Sequence, residues 1–332
     1  MTSSVYLLGS GFSRAISEHM PTMDGLSAAI RSDLRARGRP TLPGEDTPLA
    51  DNFEQWLSYL IEDPPWLDDG QKFRNRAAFS DVAESLHSVL SALQALAAED
   101  APPGWLPQLV RYWQGVGAVV ITFNYDLLVE RTLLTEAAGL RWTGIYPVPI
   151  APLGIRTSGI LGSRKNTGGL RLLKLHGSLG WWYSGPASPP GDQLYGTRID
   201  PWGPASSTPP IVGVDELSVD KVPMIVPPAA VKSPYYVNNT IRAMWRQAAE
   251  ALREAEELVI MGFSLPPSDQ IVSSMLATEL NANAKIIPVD YSDAVVRNLE
   301  RIFPAERIVT EYAGLGDSAV PKWVATRANL AD

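Results

Sequence analysis

Asn124 and Asp126 stand at alternate positions where the apolar run Val119-Val120-Ile121-Thr122 gives way to Phe123-Asn124-Tyr125-Asp126. An amide and a carboxylate released together at a strand end can orient a polar ligand, because ligands of open α/β sheets settle at the carboxyl ends of the strands. The competing reading makes Asn124 a turn former and Asp126 the cap of a helix over residues 127–134. His176 has the same placement, closing Lys174-Leu175 and followed by Gly177. An imidazole there can take a proton from a hydroxyl or a water near neutral pH, or it can simply be a buried, hydrogen-bonded histidine. Two glycine turns follow strand-like runs, Gly9-Ser10-Gly11 after Val5–Leu8 and Gly262-Phe263-Ser264 after Leu258–Met261. A strand, a two-glycine turn and a helix N-terminus form the layout that seats a dinucleotide pyrophosphate. Lacking a third glycine, Gly9 and Gly11 also fit an ordinary strand-to-helix turn. Asp290, ending Lys285–Val289, is placed either to accept hydrogen bonds from ribose hydroxyls or to cap a helix.

Positioning these groups calls for a sheet. Short apolar runs recur as Val5–Leu8, Ala118–Thr122, Leu170–Leu175, Met224–Val226, Leu258–Met261, Lys285–Val289 and Arg307–Thr310. Several are separated by helical patterns, which predicts an α/β fold with a doubly wound, Rossmann-like, mainly parallel sheet. The clearest helix follows Ser233-Pro234, with Ile241, Met244, Trp245, Ala248, Leu252 and Ala255 at helical spacing. More than a hundred residues separate the first two strands, far beyond one crossover helix. The stripes Phe53, Trp56, Leu57, Leu60 and Val82, Leu86, Val89, Leu93 predict a helical insertion over residues 41–100. Residues 181–223, rich in Pro, Gly and Ser and carrying Trp181, Trp182, Tyr183, Tyr195 and Trp202, read as a loop-rich small lobe. The sheet domain is then discontinuous, over residues 1–40, 101–180 and 224–320.

The 332 residues are 45% hydrophobic, enough for a large core, and the net charge of −8 weighs against direct nucleic-acid binding. No run reaches the roughly 20 apolar residues of a membrane span, and the first strand begins at Val5 with no signal-peptide pattern before it, so a cytoplasmic location is expected. The chain has no cysteine, which excludes disulfides, a catalytic thiol and any zinc site built on thiolates. The three histidines, His19, His87 and His176, would have to converge from distant segments to hold a metal, and no metal site is expected.

Taken in order, Gly9-Ser-Gly11-Phe-Ser13, Met20-Pro21-Thr22, Thr122-Phe-Asn124-Tyr-Asp126, Lys174-Leu-His176-Gly-Ser178 and Gly262-Phe-Ser264-Leu-Pro-Pro-Ser-Asp269 resemble the sirtuin-like superfamily. More narrowly, the chain resembles the prokaryotic sirtuin-like NAD hydrolases of anti-phage defence. The resemblance runs from residue 5 to about 291 and omits the helical insertion. It implies that the two glycine turns hold the dinucleotide, through Gly9, Gly11, Ser13, Gly262 and Ser264, with Ser10, Phe12, Arg14 and Phe263 on the same loops. It also implies that Asn124 and His176 flank the nicotinamide ribose and that Asp126 contacts the nicotinamide amide. Asp290, if it faces the adenosine ribose, would favour NAD over NADP. The chain departs from deacylating sirtuins at two places. Pro21 leads into Thr22-Met23-Asp24 rather than Asp-Phe-Arg, and no cysteines are present to build the four-cysteine zinc module that helps clamp an acyl-lysine peptide.

The resemblance therefore implies an NAD glycohydrolase, with NAD as substrate, no zinc and no required cofactor. The alternatives are a zinc-free deacylase or ADP-ribosyltransferase, or a non-catalytic sensor of NAD or ADP-ribose. An unregulated NAD hydrolase would kill its host, which implies an off state kept by homo-oligomer contacts or by a separately encoded regulatory protein.

Overall fold

The computed structural model describes residues 3–39, 41–153, 169–185, 187–202, 221–229, 232–266 and 269–328. Five strands, β1 (Ser4–Leu8), β2 (Val119–Thr122), β4 (Arg171–Lys174), β8 (Glu257–Met261) and β9 (Lys285–Val289), form one sheet in the order β4-β2-β1-β8-β9. Every pairing in it is parallel. Its strands are almost continuous buried aliphatic runs because helices cover both faces. Winding goes outward from β1 through β2 to β4, then returns to the other side of β1 at β8. The order reverses between β1 and β8, and a crevice opens at such a switch point. The fold is therefore the expected α/β doubly wound, Rossmann-like one.

Two of the seven predicted strands lie elsewhere. Met224–Val226 overlaps β7 (Val222–Ile225), which belongs to a second sheet with β3 (Ala151–Pro152), β5 (Gly177–Tyr183) and β6 (Tyr195–Gly196), ordered β3-β6-β5-β7. The apolar run is buried there against β5, antiparallel to it, rather than in the parallel sheet. Arg307–Thr310 makes only an isolated bridge, between Ile286 and Ile308, flanked by short 3-10 turns. Within the lobe read as loop-rich, Trp181 and Tyr183 are buried strand residues of β5. Residues 203–220 of that lobe lie outside the described residues.

Helix α1 (Ser10–Ile16) follows β1, and α2 (Met23–Ala36) packs with α3 (Phe53–Ile61) and α4 (Asp69–Glu99) around a second apolar cluster. The Phe53, Trp56, Leu57 and Leu60 stripe is buried in that cluster with Val82 and Leu86. Asn52 caps α3 through the Gln55 amide, and Asp68 with Gln71 forms a capping box on α4. Helix α5 (Trp105–Val116) returns the chain to β2 and ends at Gly117, and α6 (Leu128–Glu136) follows β2. The helix expected after Ser233-Pro234 runs Asn239–Glu254, with Asn238 accepting from the Thr240 and Ile241 amides.

Candidate functional site

A cavity of about 580 Å³ lies at the carboxyl ends of β1, β2, β4 and β8. Its floor is Gly9, Ser10, Ser13, Phe123–Asp126, His176 and Gly262–Ser264, and its other wall comes from α2, the start of α3, and Leu90 of α4. The helical elements thus enclose space that the sheet edge alone would leave open.

The two glycine turns touch each other. Gly262 has φ +59°, and a Cβ on it would sit 2.1 Å from the Phe12 amide nitrogen; one on Gly9 would sit 2.6 Å from the Gly262 carbonyl. Adjacent strands β1 and β8 end at the same level, so their turns share one space, and no side chain fits between them. The amides of Gly9, Gly11 and Phe12 bond to the carbonyls of Met261, Gly262 and Gly9. These three glycines are therefore needed for turn-on-turn packing, and much of the expected amide cradle is already used within the protein. Just beyond Gly262, Leu265 adopts φ 52° while buried, a strained backbone beside the cavity.

Asn124, Ser13 and Asp126 meet as one network. Asn124 Nδ2 donates to the Gly9 carbonyl at 2.7 Å and to Ser13 Oγ at 2.9 Å, and Ser13 Oγ donates to Asp126 Oδ2 at 2.5 Å. The Gly9 carbonyl can only accept, which fixes the amide nitrogen there and leaves Oδ1 as the Asn124 atom without a protein partner among the described residues. Asp126 Oδ1 accepts from the Leu128 amide at 3.2 Å, from one position before the N-cap Leu127, while the other oxygen serves the network. Beneath, Lys174 Nζ donates to the carbonyls of Tyr125 (3.3 Å) and Asp126 and to Glu130 Oε1 (2.9 Å). Tyr146 adds its hydroxyl to the same Glu130 oxygen at 2.9 Å. Both charged side chains are 1% exposed. This buried lattice holds the Thr122–Asp126 segment rigid, because a paired charge away from water tolerates little displacement.

His176 stands where the chain leaves the parallel sheet for the second one. Leu175 still bonds to β2, through Thr122, while the His176 carbonyl accepts from Val226 beside β7. The corner needs Gly177 at φ +85°, where a Cβ would be 1.9 Å from the Met224 carbonyl. The imidazole packs on Phe123 at 4.8 Å and near Tyr236 and Trp245 at 6.4 Å. Its Nε2 is buried with no hydrogen-bond partner among the described residues, and so is the Tyr236 hydroxyl. Burial, and secondarily the charge of Lys232, hold its pKa well below the ordinary imidazole range. The ring is therefore held in its neutral form at physiological pH.

The sequence candidates divide in space. Gly9, Ser10, Ser13, Asn124, Asp126, His176, Gly262, Phe263 and Ser264 line the cavity; Gly11, Phe12, Arg14 and Asp290 do not. Phe12 is fully buried against Trp105 and Trp113, and Arg14 turns to the carbonyls of Glu18 and Met20. Asp290 accepts from the Ser292 amide, and burial raises its pKa. His87 is partly buried, 3.3 Å from the Leu179 carbonyl, and His19 lies 3.8 Å from Asp100 at the surface. Glu130, Lys174, Lys232 and Asp269 are charged groups at or under the site to which the sequence reading assigns no role. The one signal for Lys174 is an ammonium between the apolar Leu173 and Leu175.

Among the described residues no group of three or more His, Asp or Glu could hold a metal, and no helix is long and apolar enough to cross a membrane. No protein-family model and no curated protein matches this chain. Solved Sir2 structures match over nearly its whole length. One, from work on the mechanism and regulation of Sir2 enzymes, aligns with 99% of this chain and 93% of its own at 15% identity, with a TM-score of 0.42. A Sir2 homologue in complex with NAD aligns with 98% and 90% at 16% identity, with a TM-score of 0.41. The structural neighbours are Sir2 enzymes; the doubly wound assignment itself rests on the strand order β4-β2-β1-β8-β9.

Proposed function

We propose that the protein is an NAD glycohydrolase, cleaving NAD to nicotinamide and ADP-ribose. The observation that carries this reading is a neutral His176, its Nε2 without a partner among the described residues, on the same cavity as an Asn124 whose amide is locked in one orientation. In the reaction the C1′–N bond breaks and its electron pair passes to the pyridinium nitrogen, so nicotinamide departs neutral and no general acid is required. Water oxygen bonds to C1′ and His176 Nε2 takes the proton released. Asn124 orients the water or ribose hydroxyls through its open oxygen, and Asp126 holds the carboxamide while fixing Ser13. The glycine turns seat the rest of the dinucleotide at the switch point.

Incubating the protein with NAD and following nicotinamide and ADP-ribose by chromatography tests this. We expect loss of a base to lower turnover about 10²–10⁴-fold in His176→Ala, and Asn124→Ala to fall similarly. Turnover equal to the native protein in both variants would remove the assignment. In the cell the reading implies a regulated anti-phage effector that depletes cytoplasmic NAD by abortive infection, restrained by its own oligomer or by a separately encoded protein. Native mass with and without neighbouring gene products, together with NAD levels during infection, tests that part. A constitutively active monomer with no effect on infection would contradict it.

A further inference from the structure

The charged groups of the cavity wall are unevenly committed. Among the described residues five carboxylates line it, Asp24, Asp51, Glu54, Asp126 and Asp269, against the two cations Arg31 and Lys232. Arg31 is engaged by Glu45 at 3.1 Å, by the Ala50 carbonyl at 2.9 Å and by the face of Trp56 at 4.7 Å. Lys232 has one partner among the described residues, Asp269 Oδ1 at 2.9 Å, although an ammonium carries three donors. Asp269 immediately precedes the helix Gln270–Glu279, a position from which a carboxylate ordinarily caps the first amides. It makes no such bond and reaches instead to Lys232. The pair is only 7% and 10% exposed, and it ties the segment leaving β7 to the turn after β8. Holding two charges out of water costs several kcal/mol per ion, a cost more readily met by function than by stability.

The amides of Gly9, Gly11 and Phe12 are bonded within the turns and do not also serve an anion entering this cavity. We propose that Lys232 is the cation that receives the diphosphate of the dinucleotide, and that Asp269 is its placeholder, giving up the ammonium when phosphate oxygens arrive. The inference rests on the function proposed above, for the diphosphate is the only anionic part of NAD. No covalent step is involved; one charge-assisted hydrogen bond is exchanged for another. Such an exchange has a signature that a structural ion pair lacks, because removing the two partners acts on affinity in opposite directions.

Calorimetric titration with ADP-ribose, which carries the diphosphate and is not hydrolysed in the proposed reaction, tests this with thermal unfolding run alongside. Lys232→Met is expected to weaken binding about tenfold or more, the worth of a charged hydrogen bond. Asp269→Asn, which frees the ammonium, is expected to tighten it. Because either single change leaves a buried charge unpaired, the double variant Lys232→Met/Asp269→Leu provides a second arm in which the pair is replaced by apolar side chains. It is expected to fold and still to bind about tenfold more weakly. Equal weakening by both single changes, or a double variant that binds like the native protein, would overturn this inference alone. Failure of the native protein to bind ADP-ribose at all would overturn the proposed function together with it.

Discussion

On the Asn124 side of the cavity the buried polar groups are bonded to one another, whereas on the other side the imidazole and the tyrosine next to it are bare among the described residues. Ser13, Asn124 and Asp126 form a closed set above the Lys174–Glu130–Tyr146 lattice. His176 Nε2 and the Tyr236 hydroxyl beside it are buried without partners among the described residues. An unmade buried hydrogen bond costs roughly 1–3 kcal/mol. The first side is thus built to hold a shape, and the second bears a cost that a bound ligand can relieve. Substitutions should separate the two: on the bonded side turnover and stability fall together, whereas on the bare side turnover falls while stability holds.

The largest stability effect belongs to Lys174→Met. It leaves the Glu130 carboxylate at 1% exposure without its cation and removes the ammonium from the Asp126 carbonyl, so urea unfolding should show a loss of about 3–5 kcal/mol. A loss under about 1 kcal/mol would break the distinction between the two sides. Next comes Gly262→Ala, whose Cβ would meet the Phe12 nitrogen at 2.1 Å in a left-handed conformation. It should cost at least about 1–3 kcal/mol by thermal unfolding, and wild-type stability would contradict the interlocked turns. Ser13→Ala removes the hydroxyl between Asn124 and Asp126. We expect about 1–3 kcal/mol in unfolding and slower NAD turnover, since Asn124 loses one of its two anchors.

The smallest effect is on pH dependence. The folded pKa of His176 lies well below its unfolded value, so the unfolded chain binds the proton first as pH falls. The stabilisation from keeping the ring neutral is present above the ordinary imidazole pKa of about 6.5 and is lost as pH falls through the folded value. Burial lowers His87 in the same direction, so the His176 share is read as the difference between native protein and a His176 variant. For catalysis, a base already neutral in that range gives NAD turnover without an acid limb between about pH 6 and 8. A limb centred near 6.5 would place the working base elsewhere.

Strand ends were the legible part of the site. Asn124, Asp126 and His176 announce themselves as polar residues closing apolar runs, and a parallel sheet brings such ends to one edge. The second sheet was not legible, because β3 and β6 are two residues long and β5 carries glycines and a tryptophan pair instead of an aliphatic run. Met224–Val226 misleads for the opposite reason: it is aliphatic enough for the parallel sheet, and only its antiparallel partner β5 decides its place. Gly9 and Gly11 advertise backbone freedom without saying what approaches. The answer, Gly262, stands about 250 residues away in sequence and is adjacent only through the strand order. Lys232 and Asp269 likewise meet only because two lobes close on one cavity.

One comparison reaches the centre of this account: unfolding and NAD turnover of His176→Gln, measured on the same preparation as the native protein and under conditions in which the native protein hydrolyses NAD. Because Nε2 has no partner among the described residues, unfolding free energy should stay within about 1 kcal/mol of native, while nicotinamide release falls about 10²–10⁴-fold. Turnover that survives, or that declines only in step with lost stability, would contradict the role assigned to His176.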